Sequence, residues 1–311
     1  MVVEEVPVPE PAPSEVLIKV MAAGVNWADA HRRQGQYYPE PTDFPFTVGG
    51  EFAGEIVSTG RDVTRHRAGD VVFALHNGGA YAQYAIADQD AVFRVPDGLD
   101  PIAGVALIVQ GLTAAAILKD ATPVQPGEAV LVQGASGGVG MIALQLARIY
   151  GASKVFGLAS SPHKRDFIRT HGGHALDPAD ATWPDQLRAA TDQQGADVVM
   201  EMAGGEMFRR SLDVMAQGGR MTVYGAVGEG DRTVDLLQLI PRNLTLRSFY
   251  LGPYLARPDF VDSTIAELAE YVKDGRLKLT LGGRYQLDQA PEMHRLMEAR
   301  QTTGKLVVLP T

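Results

Sequence analysis

Val130-Leu131-Val132-Gln133-Gly134-Ala135-Ser136-Gly137-Gly138-Val139-Gly140 decides how this chain is read. A short apolar run ends in a turn of small residues, and Met141-Ile142-Ala143-Leu144-Gln145-Leu146-Ala147-Arg148 follows with helical periodicity. Strand, small-residue turn and helix in that order are the context in which a glycine-rich loop cradles a pyrophosphate. Glycines let the backbone approach the phosphates, and the first helical turn offers free N–H groups and the positive end of its dipole. Ala135 stands where the first glycine of Gly-x-Gly-x-x-Gly is usual, with Gly134 just before it. The competing reading is an ordinary tight strand–helix turn.

The next apolar run, Lys154-Val155-Phe156-Gly157-Leu158-Ala159, ends at Ser160, 20 residues past Gly140. Folds that bind NAD place a carboxylate about there for the ribose hydroxyls. This chain has Ser160-Ser161-Pro162-His163-Lys164-Arg165 instead. Two hydroxyls and two cations suit a 2′-phosphate, and no acid repels it. The cofactor reads as NADP(H); the alternative is a serine cap on a solvated basic helix start.

At 311 residues the chain can form two domains with substantial cores. Apolar content of 45% and charged content of 21% suit a globular protein. A net charge of −9 and a pI near 5.3 argue against nucleic acid as a partner. No run of about 18 apolar residues suggests a membrane span, and the N-terminus carries acids and prolines rather than a signal, so a cytoplasmic protein without a membrane partner is expected. The absence of cysteine excludes disulfides, thiolate catalysis and cysteine-ligated zinc. His171 and His174 flank Gly172-Gly173 and the other histidines are scattered, so no metal site is expected.

The chain divides into three stretches. Residues 1–105 hold short apolar runs, such as Glu15-Val16-Leu17-Ile18-Lys19-Val20 and Asp70-Val71-Val72-Phe73-Ala74-Leu75, punctuated by Gly, Pro and Asp. That pattern predicts a mostly β domain. Residues 106–250 alternate strands with longer helical patterns, the sign of a parallel sheet. Residues 251–311, with a helix from Val261 to Lys273 and a closing strand Lys305–Leu309, are expected to return to the first domain. The expected class is α/β, with domains 1–105 plus 251–311 and 106–250.

With these residues in hand, the chain resembles the zinc-independent quinone oxidoreductase branch of the medium-chain dehydrogenase/reductase superfamily, the group that includes zeta-crystallin. The resemblance spans nearly the whole length. It rests on Gly24-Val25-Asn26-Trp27-Ala28-Asp29, Gly49-Gly50-Glu51-Phe52-Ala53-Gly54, Gly69-Asp70-Val71-Val72, Gly111-Leu112-Thr113-Ala114, Gly134 to Gly140, Gly218-Gly219-Arg220 and Thr303-Gly304-Lys305. It implies a GroES-like, mostly β catalytic domain and a Rossmann doubly wound parallel-sheet cofactor domain. Met1-Val2-Val3-Glu4 is then at best the remnant of a first strand. Zinc alcohol dehydrogenases of that superfamily carry a cysteine where this chain has Asn26 and a histidine where it has Gly50. Carbonyl polarisation must then come from hydrogen bonds, which suits quinones and enones.

By resemblance, Gly134, Ser136, Gly137, Gly138, Val139 and Gly140 form the pyrophosphate loop. Ser160 and Lys164 take the 2′-phosphate, with Arg165 a weaker candidate. Thr113, Gly225, Ala226, Phe249 and Tyr250 lie toward the nicotinamide, and Lys305 near the cofactor phosphates. Asn26 and Asp29, three apart, project from one helical turn. Asn26 would donate to a developing enolate oxygen and Asp29 would orient a water or hydroxyl, or both would simply cap a helix. Tyr37 or Tyr38 would cover the substrate or supply a proton, although a phenol with a pKa near 10 is a poor acid at neutral pH.

The function expected is NADPH-dependent hydride transfer to a quinone or related α,β-unsaturated carbonyl, a small-molecule electron acceptor. The alternatives are an enoyl thioester or alkenal reductase, or an NADPH-binding protein with a structural or regulatory role. A homodimer is expected through the edge strand from Leu244 to Phe249, an apolar run with few blunting charges.

Overall fold

The computed structural model describes residues 1–36, 38–39, 41–225 and 230–310. Two compact units emerge, one comprising Met1–Val109, Pro258–Lys273 and Leu279–Thr311, the other Gln110–Arg257 and Asp274–Lys278. In chain order, β1 (Glu15–Gly24), α1 (Trp27–Arg33), β2 (Glu51–Thr59), β3 (Val71–Leu75), β4 (Tyr84–Asp88) and β5 (Val92–Arg94) lead to α2 (Pro101–Gly104) and α3 (Val109–Ala116). Strand and helix then alternate: β6 (Ala129–Val132), α4 (Gly138–Ile149), β7 (Lys154–Leu158), α5 (Pro162–Thr170), β8 (His174–Leu176), α6 (Trp183–Ala190), β9 (Ala196–Glu201), α7 (Gly205–Asp213) and β10 (Met215–Val223). The chain continues through β11 (Thr245–Ser248), α8 (Gly252–Leu255), α9 (Pro258–Lys273), β12 (Leu281–Gln286), α10 (Ala290–Glu298) and β13 (Lys305–Leu309).

The first unit is built on a sheet in the order β12-β13-β1-β2-β3-β5, with β4 also paired to β1. β1 runs antiparallel to β2, β4 and β13. It therefore joins the start of the chain to its last strand. Val16, Ile18, Phe52, Ile56, Val72 and Val308 close the core, with Ala290 and Met293 of α10 packed into it. Paired on both sides, β1 is buried over most of its length; only around Lys19, exposed between inward Ile18 and Val20, does it alternate.

The second unit carries a six-stranded, all-parallel sheet in the order β11-β10-β9-β6-β7-β8. Chain order reverses between β6 and β9, so the crevice at their carboxyl ends is the topological switch point, where open α/β sheets hold ligands. Parallel strands covered on both faces must be apolar throughout. Ala129, Val130, Leu131 and Val132 of β6 are all buried, as are Trp183, Leu187 and Phe208 on the helices around them. The α/β class read from the sequence, one mostly β unit and one doubly wound parallel sheet, is the observed one.

One sequence expectation needs refinement. The helical run Pro101–Ala121, 21 residues ending in a π-type turn at Ile117–Ala121, is by length and composition apolar enough to cross a membrane. In its most apolar window, 78% of the residues are buried inside the protein, as in a core helix. Gln110, Thr113, Lys119 and Asp120 interrupt its apolar residues, so the sequence does not read as one apolar run there.

Candidate functional site

In the second unit, the turn from β6 into α4 is shaped by its glycines. Gly134 adopts φ of +57°, and the N–H of Gly137 donates to its carbonyl at 2.9 Å. A Cβ on Gly140 would lie 2.4 Å from the Gly134 oxygen and 2.6 Å from Cα of Ala135, so only hydrogen fits where the helix crosses the loop. Gly137 sits at the N-cap of α4 in extended conformation, with no side chain capping the helix. The opening N–H groups of a helix have no partner within it and point outward at its N-terminus. Ser136 is buried, whereas Gly137, Gly138 and Val139 are half-buried and Gly134 is exposed. Gln110 at the start of α3 packs on Gly138, where a Cβ would come within 2.9 Å of its Cγ, and Thr113 lies buried one turn further along.

At the carboxyl end of β7, Ser160 is exposed and Lys164 half-buried. The cap of α5 is Ser161, whose Oγ accepts from the Lys164 N–H at 3.3 Å. The serine cap of the alternative reading is thus Ser161, and Ser160 stands outside it. Arg165 donates to the Ala159 carbonyl at 3.1 Å and pairs with Asp177 at 2.8 Å, strapping the end of β7 to the segment after β8.

Gly225 follows β10, and a Cβ there would come 3.0 Å from Cβ of Met202, the residue that also packs on Gly134. The Phe249 N–H donates to the Val223 carbonyl at 2.9 Å; its ring lies 5.1 Å from that of Tyr254, while Tyr250 is exposed. Gly134, Ser160, Gly225, Phe249 and Tyr250 therefore share the carboxyl edge of one sheet. Ala226 and Tyr37 lie outside the described residues.

Two buried side chains that the sequence reading passed over hold the loop after β9. Gln133 accepts from the Met202 and Ala203 N–H groups at 3.1 and 3.0 Å, and donates to Ser211 at 2.8 Å. Glu201, fully buried, accepts from the Gly204 N–H at 2.5 Å and faces Arg232 at 3.7 Å. Burial raises its carboxyl, with the Gly204 N–H and Arg232 opposing. An acid ending an apolar strand (Asp197-Val198-Val199-Met200-Glu201) is the signal that could have found it.

The first unit gathers a different set. Asn26 is the N-cap of α1 and forms a capping box with Asp29, whose carboxylate accepts from the Asn26 N–H at 2.8 Å. Its side chain does more, since Nδ2 donates to Oε1 of Glu51 at 2.8 Å. Glu51, wholly buried, also accepts from the Val109 N–H at 2.9 Å and from Lys305 Nζ, which donates in turn to the Val25 carbonyl at 3.1 Å. Lys305, expected near cofactor phosphates, is 1% exposed and committed to this ion pair. Asp29 is only 4% exposed, so it is a buried acid rather than a group open to solvent.

Burial pushes the Asp29 carboxyl up to about 7, against the pull of the Asn26 N–H, Lys305 and Arg32. Tyr81 is raised by burial, Asp29 and Glu51, and its hydroxyl lies 3.3 Å from Nε2 of buried His294. Burial and Arg33 bring His294 down to about 4. Tyr38 lies under the Arg32 guanidinium, which also covers Phe46 at 4.5 Å and donates to Thr42 at 2.8 Å. Among the described residues, no three His, Asp or Glu side chains gather as a metal site.

Comparison with known proteins gives these geometries relatives. Residues 12–97 match the alcohol dehydrogenase GroES-like domain, and residues 138–270 match the zinc-binding dehydrogenase family. The chain is 32% identical over 311 residues to the quinone oxidoreductase of Sus scrofa, covering 98% of this chain and 92% of that protein. Among solved structures, the Escherichia coli quinone oxidoreductase complexed with NADPH is similar with a TM-score of 0.92 at 27% identity, over 99% of this chain and 95% of that one. A mycobacterial protein complexed with NADPH has a TM-score of 0.91 at 31% identity, over 99% of this chain and 94% of its own.

Proposed function

The chain belongs to the quinone oxidoreductase, zeta-crystallin-like branch of the medium-chain dehydrogenase/reductase superfamily, and on that premise we propose that it is an NADPH-dependent, zinc-independent reductase of quinones or related α,β-unsaturated carbonyls. The observation that carries the cofactor choice is the end of β7, where the chain itself places Ser160 and Lys164 instead of an acid and the nearby Asp177 is neutralised by Arg165. A 2′-phosphate would find a hydroxyl and an ammonium there rather than a repelling acid.

The glycine loop fits a pyrophosphate, because Gly137, Gly138 and Gly140 add no side chain of their own at the N-terminus of α4, where an anion would lie. Gly134, Ser136, Gly137, Gly138, Val139 and Gly140 would hold the pyrophosphate, with Thr113, Gly225, Ala226, Phe249 and Tyr250 toward the nicotinamide. Bound NADPH supplies a hydride; a quinone that takes it with one proton becomes a hydroquinone. Asn26 would donate a hydrogen bond to the oxygen on which charge builds, in place of a Lewis acid. Asp29 is buried and holds the Asn26 N–H, and Tyr81 is raised by burial, so solvent is the proton source in this reading. Tyr37 and Tyr38 would border the acceptor.

The same reading includes a cytoplasmic location and a homodimer paired through β11. That strand ends the sheet with Thr245, Arg247 and Ser248 exposed, and Leu236, Leu237 and Ile240 just before it are also exposed. Light scattering at micromolar concentration should give twice the chain mass; a monomer would sink the dimer.

Parallel calorimetric titrations with NADPH and NADH test the cofactor site. NADPH should bind at micromolar concentration and NADH much more weakly, and Lys164→Ala should remove roughly 10- to 100-fold of the difference. Equal affinities would reduce Ser160 and Lys164 to a helix start. A panel of 1,4-benzoquinone, an alkenal and an enoyl thioester then separates the acceptor classes, and binding without any turnover would favour a structural or regulatory role.

A further inference from the structure

We propose that Glu51 and Lys305 are positioning residues for the reduction, a buried ion pair that fixes the amide of Asn26 with one N–H turned toward the core. The inference rests on the reading that Asn26 meets the acceptor, and it gives Lys305 a role that no phosphate contact supplies.

The amide's orientation follows from chemistry. Glu51 offers only acceptor oxygens, so a flipped Asn26 would set its carbonyl oxygen against a carboxylate; only Nδ2 can face Oε1 at the observed 2.8 Å. Glu51 is itself immobilised. Its Oε1 takes Lys305 Nζ, its Oε2 takes the Val109 N–H at 2.9 Å, and the carboxylate is 0% exposed. Gly24 leaves the room it needs, because a Cβ there would lie 2.5 Å from Oε1.

Lys305 explains why a carboxylate is tolerable behind a group assigned to stabilise negative charge. A bare anion beside Asn26 would oppose charge building on the acceptor. Paired with an ammonium, Glu51 orients the amide without presenting a net charge. A buried ion pair is a weak source of stability compared with apolar residues of similar volume, so stability alone does not account for this one.

The test uses the NADPH-loaded enzyme with 1,4-benzoquinone as acceptor. The double variant Glu51→Leu/Lys305→Met exchanges the pair for apolar groups. It should stay folded and bind NADPH within twofold of the parent, while kcat falls about tenfold. Asn26→Ala should lower kcat by a comparable factor. Adding Asn26→Ala to the double variant should cost less than twofold more, because the amide is already unfixed. Lys305→Arg should retain more kcat than Lys305→Met.

If the double variant does not fold, Gly24→Ala, which crowds Oε1 while keeping every charge, should lower kcat with the KM for NADPH unchanged. Full multiplication of the Asn26 and pair effects, an unchanged kcat in the double variant or in Gly24→Ala, or a loss confined to NADPH affinity would each overturn the proposal. A parent protein that binds NADPH yet reduces no acceptor would overturn the functional reading and this inference with it. Turnover in the parent without the expected coupling would overturn this inference alone.

Discussion

The two units place their polar groups in opposite ways. In the second, the candidate ligand groups are largely main chain, set at the carboxyl edge of a parallel sheet whose β6 strand is wholly buried. In the first, charged side chains lie inside the fold: Asp29, Glu51 and Lys305 are each less than 5% exposed. A site made of backbone has no side chain to lose and is vulnerable to any atom added. A site made of buried charges is vulnerable to any charge removed, and to pH.

The largest expected effect attacks the backbone site. Gly140→Val places carbon against the Gly134 carbonyl and Ala135, so the loop must open. NADPH affinity by calorimetry should fall more than about 100-fold, with a lowered Tm. Near-parental binding would show that the loop's shape does not matter and would break the contrast. In the first unit, Lys305→Met leaves Glu51 buried without its ammonium and should cost about 3–5 kcal/mol in urea unfolding. Adding Glu51→Leu should return most of that loss.

Titration sharpens the contrast further. Asp29 has a folded-state pKa near 7 against 3.8 unfolded, so the native state holds the proton more tightly. The stability this gives is complete below about pH 4 and is lost as pH rises toward 7, by at most about 4 kcal/mol. His294 runs the other way: depressed to about 4 from 6.5, it contributes stability above about pH 6.5 that is lost as pH falls toward 4. Unfolding measured across that range should show Asp29→Asn removing the first slope and His294→Gln the second. Unchanged profiles in both variants would mean that burial is not setting these protons. The smallest effect belongs to Arg165→Ala. It cuts a half-buried strap to Asp177 at the surface and should cost about 1 kcal/mol or less, with roughly twofold in NADPH affinity.

Much of this contrast was legible in the sequence, and the reason is range. The Gly134–Gly140 turn, the strand–helix alternation and the β-rich opening are local patterns, in which neighbouring residues carry the signal. Serine at the end of β7 was legible too, although only the structure separates the capping Ser161 from the exposed Ser160. The first unit's cluster was not legible, because its partners are remote in the chain. Tyr81 meets His294 across 213 positions, and no periodicity links them. Glu51 lies in a motif that gives it no role by itself, and a lone basic residue such as Lys305 does not reveal which acid it will face.

That distance matters while the chain is being made. Lys305 emerges from the ribosome 254 residues after Glu51, whereas β11, the last strand of the parallel sheet, is finished at Ser248. The second unit's sheet can therefore assemble while the first still has an acid without its counter-ion and a β1 edge without β13. Until β13 arrives, Glu51 has reason to stay in water. Closure of the first unit is thus deferred until β13 has been made, when a single strand delivers both the missing hydrogen bonds and the missing charge.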